Sequence, residues 1–114
     1  MTDSNHKTGI DRRQYRRVGL VTEVRCEHGG KEEILLTRDI SEGGIFVASD
    51  KPFPLGTEVK ILLHLSASGP GLELAGGVVY IVPDLGMGIE FSKLSEAART
   101  ILREFVALSP EGST

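Results

Sequence analysis

Tryptophan is absent from this 114-residue sequence, cysteine occurs once, at Cys26, and aromatic residues make up only 5%. A single cysteine excludes an internal disulfide and fits a reduced, cytoplasmic setting. No apolar run approaches the ~20 residues that a membrane-spanning helix requires. The polar first ten residues lack the apolar core of a secretory signal. Excess positive charge is missing as well. A net charge of −3 argues against a general nucleic-acid binder, which would carry a basic face. Few aromatics and strands without basic character also leave little on which single-stranded nucleic acid could stack.

Catalytic signatures are equally scarce. His6, His28 and His64 fall in a tail, a turn and a strand, at no spacing typical of metal ligands. Cys26 has no partnering histidine pattern and reads as core. Ser41 lies outside any G-x-S-x-G turn. No carboxylate pair stands out and there is no Walker loop. The expectation is a binding protein, not an enzyme, with no metal and no cofactor.

What remains is ordinary for one globular domain: 39% hydrophobic and 25% charged residues, with enough chain for a single modest core. Alternating apolar positions predict strands over 18–26, 33–40, 45–48, 58–65, 72–82 and 85–91. Val21 is out of phase in the first. The pair Gly76-Gly77 inside the fifth suggests a bulge or a barrel corner. His28-Gly29-Gly30-Lys31, Pro52–Gly56, Ser66–Gly71 and Pro83-Asp84 punctuate the strands. From Leu94 the period changes to that of a helix. Leu94, Ala98, Ile101, Leu102, Phe105 and Val106 form its apolar face, Ser95 is its N-cap, and it ends near Leu108. This order favours a small antiparallel barrel or sandwich capped by one helix.

Two clusters stand out from that background. Arg12-Arg13-Gln14-Tyr15-Arg16-Arg17 holds four of the thirteen basic residues within six positions of an acidic chain. Such a local field suits a small anionic ligand better than a long polyanion. Asp39-Ile40-Ser41-Glu42-Gly43-Gly44 sits between two predicted strands. Asp and Ser shape turns with their own backbone, and glycine permits positive φ or a close approach by another group.

Arg13-x-x-x-Arg17 followed by Asp39-x-Ser41-x-x-Gly44, ahead of a short β domain, resembles the PilZ domain, a bacterial family whose members commonly bind cyclic di-GMP. The Pro54-Leu55-Gly56-Thr57 turn, Gly77-Val78-Val79-Tyr80, Gly86–Phe91 and the closing helix agree with it. The fold carried forward is all-β with a C-terminal helix: a six-stranded antiparallel β-barrel over residues 11–108, between flexible tails at 1–10 and 109–114. The resemblance implies ligand contacts from Arg13, Arg17, Asp39, Ser41 and Gly44, with Gly43 beside them. Their chemistry fits. Guanidiniums bond phosphate oxygens and the O6/N7 edge of guanine in pairs. A carboxylate accepts from guanine N1–H and its amino group. Arg12-x-x-x-Arg16 has the same spacing, but with Arg13 and Arg17 the strand opens directly at Val18, as in the family. Arg16 then reads as solvent-facing filler. Arg12 just ahead of the motif implies a stacked pair of ligands. Tyr80 could offer a stacking edge to guanine, but it reads first as a half-buried barrel residue. The functional expectation is a receptor that relays ligand binding to a protein partner through ordering of the N-terminal segment. The alternative is a PilZ-like adaptor that binds no nucleotide.

Overall fold

Short apolar–polar alternations between turn residues can bury only one side of each strand, and the chain satisfies all of them by closing a sheet on itself. A computed structural model describes residues 15–66 and 69–109. The predicted tail at 1–10, Arg12, Arg13 and the residues from 110 onward lie outside the described residues. Among the described residues, seven strands and one helix follow in order: β1 (Val18–Gly19), β2 (Glu23–His28), β3 (Lys31–Ile40), β4 (Gly44–Ala48), β5 (Glu58–His64), β6 (Gly71–Val82), β7 (Gly86–Ser92) and α1 (Glu96–Leu108). All pairings are antiparallel. The circuit β3-β2-β5-β6-β7-β4 returns to β3, which makes a six-stranded barrel, and β1 is an extra strand on β3.

Val24, Cys26, Val47, Val59, Ile61, Leu63, Val78, Met87 and Ile89 point inward and are buried. Ala98, Leu102 and Val106, at helical spacing on α1, join the same core. Ser95 caps α1, its Oγ accepting from the Ala98 amide at 3.0 Å.

The predicted first strand is one strand in pairing but not in continuity. β1 and β2 both pair with β3, and the pairing slips by one residue between them. Val21, the out-of-phase residue, is 76% exposed at the slip. The fully buried hydroxyl of Thr37 fastens this junction: it donates to the Leu20 carbonyl and accepts from the Thr22 amide at 3.0 Å.

Two further bulges shape the outer face of the barrel. Between Thr37 and Asp39 the β3–β4 register shifts. Thr37 and Ile40 are both buried three residues apart, so strict alternation is broken and Asp39 turns to the outer face. The β6–β7 register shifts between Val78 and Tyr80. Val78 stays inside and Tyr80 turns out. The bulge expected from Gly76-Gly77 thus falls just after them. Gly76 answers a different need: a Cβ there would run into the Glu90 carbonyl of β7.

Candidate functional site

β1 is two residues long, yet it decides where the arginines go. Its register pairs Val18 with Ile40 and Gly19 with Asp39, so Arg17 arrives beside the start of the Asp39–Gly44 loop. Arg17 Nη2 donates to both Asp39 oxygens, at 3.2 and 3.1 Å. Partial burial would by itself lower the pKa of the guanidinium. The hydrogen bond and charge of Asp39, with a smaller contribution from Tyr80, outweigh this and leave it raised. Arg17 is therefore a permanent cation within the pair.

The loop is held from inside. Ser41 is buried, and its Oγ accepts from the amides of Gly43 at 3.0 Å and Gly44 at 3.2 Å. The Ser41 amide donates to the Gly44 carbonyl and the Phe91 amide to the Gly43 carbonyl, each at 2.9 Å. Neither glycine adopts a positive φ; what they need is room. A Cβ on Gly44 would sit 2.5 Å from the Ile89 carbonyl of β7. A Cβ on Gly43 would sit 2.8 Å from the ring of Tyr15, which lies across that residue.

Arg17, Asp39, Ser41, Gly43 and Gly44 line one hollow on the outer face of the barrel. Its apolar side is made by Phe46, Val79 and Tyr80, and Tyr15 and Glu90 also border it. The Phe46 and Tyr80 rings are 5.9 Å apart, tilted by 53°, and the Tyr80 ring lies over Gly88 where a Cβ would collide with it. The hollow offers about 60 Å³ of free space. Pockets that hold a drug-sized ligand are typically ~300 Å³ or more, so a ligand of that size would extend beyond the hollow over the outer face.

Five of the seven predicted site residues therefore meet in space, and Arg12 and Arg13 lie outside the described residues. Sequence reasoning missed Tyr15, Phe46 and Glu90. Tyr15 had a signal, being an aromatic inside the arginine spacing of an aromatic-poor chain. Phe46 had one too, since it alternates against Ile45 and Val47. Glu90 had none: it reaches the site only because β7 pairs Glu90 with Gly44. Arg16 is exposed, as read, but it is bound to α1. Among the described residues, no three His, Cys, Asp or Glu side chains are grouped to hold a metal ion. No described helix is long and apolar enough to cross a membrane.

Comparison with known proteins bears on the family and the fold. Residues 11–108 match the PilZ domain family. Among solved structures, the Bacillus subtilis inhibitor of motility (MotI/DgrA) superposes with a TM-score of 0.66 at 24% identity, over 86% of this chain and 51% of its own. The Borreliella burgdorferi PlzA protein, solved in complex with c-di-GMP, gives 0.66 at 15% identity, over 90% of this chain and 44% of its own. The PilZ domain of CeSA from a cellulose-synthesizing bacterium gives 0.59 at 21% identity, over 80% and 90%. This chain spans about half the length of the first two. At these identities the likeness is one of fold. No curated protein matches in sequence.

Proposed function

We propose that this chain, which belongs to the PilZ domain family, is a receptor for cyclic di-GMP. The observation that carries the proposal is the Arg17–Asp39 contact: it joins the arginine lead to the glycine loop at the rim of one hollow.

The site's chemistry suits such a ligand. With the Gly43 and Gly44 amides already engaged by Ser41, guanidiniums are the charged donors suited to phosphate and to the guanine O6/N7 edge. Arg17 takes that role, with Arg13 as its partner from the motif. Asp39, released from Arg17, accepts from guanine N1–H and the amino group. Phe46 and Tyr80 offer ring faces and edges to a purine. Ligand binding then orders the segment carrying Arg12 and Arg13 across the outer face, and a protein partner in the cytoplasm reads the new surface.

Titration calorimetry with cyclic di-GMP is the test. Saturable heat supports the receptor, and its stoichiometry decides between one ligand and the stacked pair implied by Arg12. No heat at high micromolar ligand leaves the adaptor reading. That alternative has its own observation: Ile34 and Leu36, two residues apart on β3, are 58% and 49% exposed. A partner could cover them without any nucleotide.

A further inference from the structure

Side chains of neighbouring residues in extended backbone project to opposite sides. Arg17 reaches the loop, and Arg16 reaches the helix. Arg16 Nη1 donates to the Val106 carbonyl at 2.6 Å and Nη2 to the Ser109 carbonyl at 2.7 Å. α1 has no basic residue in its own last turn. Its carbonyl end, where a cation is favourable, receives one from a residue 90 positions away. A second guanidinium runs the other way: Arg103 of α1 donates from Nε to Glu42 Oε2 at 3.0 Å, inside the Asp39–Gly44 loop. On its own that exposed pair is worth little. With the two short charge-assisted bonds of Arg16, it joins α1 to both halves of the site.

We propose that Arg16 is a positioning residue that couples α1 to the ligand site. The end of the helix anchors Arg16, the anchored backbone holds Arg17 and Tyr15 over the loop, and an occupied site in turn steadies the last turn of α1. The two effects are equal by linkage. This inference rests on the receptor reading, and its consequence is that the helix end, 89 residues along the chain from Arg17 at Val106, reports on the site.

The experiment is amide hydrogen exchange and calorimetry on the full chain, comparing the parent protein with Arg16→Ala, Arg16→Lys and Arg103→Ala. Arg16→Ala should weaken cyclic di-GMP binding by about 5-fold or more, the low end of ordinary coupling between sites. Arg16→Lys, which keeps the charge but not the fork, should recover part of that loss, and Arg103→Ala should lose less. In the parent protein, nucleotide should slow exchange at residues 106–109. In Arg16→Ala that slowing should vanish while slowing at 41–44 persists. Unchanged affinity in Arg16→Ala, or an equal response of 106–109 in both proteins, overturns the coupling. If the parent protein binds no nucleotide, the receptor reading has failed, and exchange without nucleotide decides the link. Faster exchange at both 106–109 and 41–44 in Arg16→Ala supports it, and unchanged exchange at 41–44 refutes it. Should Arg16→Ala fail to fold, the same comparisons are made with Arg16→Lys.

Discussion

Arg17 and Asp39 are 22 residues apart in the chain, and their charged atoms meet at 3.1 Å. Neither residue could reach the other without the β1–β3 pairing and the bulge that turns Asp39 outward. The contact is about one-third exposed on each side, so water screens it and it adds little to stability. It holds a guanidinium and a carboxylate ready in one place.

Replacing Arg17 by alanine should weaken cyclic di-GMP binding by roughly 1.5–3 kcal/mol, the usual worth of hydrogen bonds to charged groups, with the melting temperature nearly unchanged. Calorimetry and a thermal melt measure the two separately. Equal affinity would sink the choice of Arg13 and Arg17 as the working pair.

Asp39→Ala tests base reading rather than phosphate binding. The variant should lose discrimination between the guanine dinucleotide and its adenine counterpart. A parallel loss for both nucleotides would assign Asp39 to holding Arg17 and nothing more.

Thr37→Val keeps the shape of a fully buried residue and removes its hydroxyl. The Leu20 carbonyl and Thr22 amide lose their partner at the β1–β2 junction. Leaving buried polar groups unpaired costs about 1–3 kcal/mol, which denaturant unfolding would register. Because β1 sets the position of Arg17, nucleotide affinity should fall as well, although Thr37 lies inside the barrel.

Gly44→Ala should damage the fold before it damages binding. The added methyl meets a backbone carbonyl at 2.5 Å, and β4 and β7 must separate to admit it. Overpacking of this kind typically costs ~1–3 kcal/mol. A melt with an unshifted midpoint would show that the strands part more easily than their pairing suggests.

Burial pushes the Cys26 thiol up, from 9.0 to about 11, with the charge of Glu33 adding to the effect. Above pH 9 the unfolded chain releases this proton while the folded one keeps it. The contribution is therefore complete below pH 9 and is lost as pH rises towards about 11. Urea unfolding across that range should show falling stability that Cys26→Ala removes. A disulfide reagent at pH 8 should label the thiol only as the protein unfolds.

Much of this was readable in one sequence because period and turn chemistry agreed. Val59, Ile61 and Leu63 alternate cleanly, and they form the inner row of β5. Ser95 caps α1 where an N-cap was expected. The Asp39–Gly44 loop was recognisable as a candidate site, but the reason for its glycines was not. Gly44 is required by a β7 carbonyl, a partner 45 positions away that no local pattern reveals. Of the irregularities, Val21 out of phase and the pair Gly76-Gly77 gave notice in the sequence, and the register shift between Thr37 and Asp39 gave none. Arg16 shows the limit most clearly. Nothing near it in sequence distinguishes it from its neighbours, because its partners are carbonyls on a helix that closes the domain.

The outward turn of Asp39 and Tyr80 has an evolutionary corollary. The proposed recognition side chains and the aliphatic packing occupy opposite faces of the same wall, so volume-conserving exchange inside need not disturb the outer face. A lineage could exchange Ile61 or Leu63 for other aliphatics and leave the outer face as it is, or change exposed outer side chains and retain its fold. A scaffold with that freedom can acquire new binding specificities without first having to be restabilised.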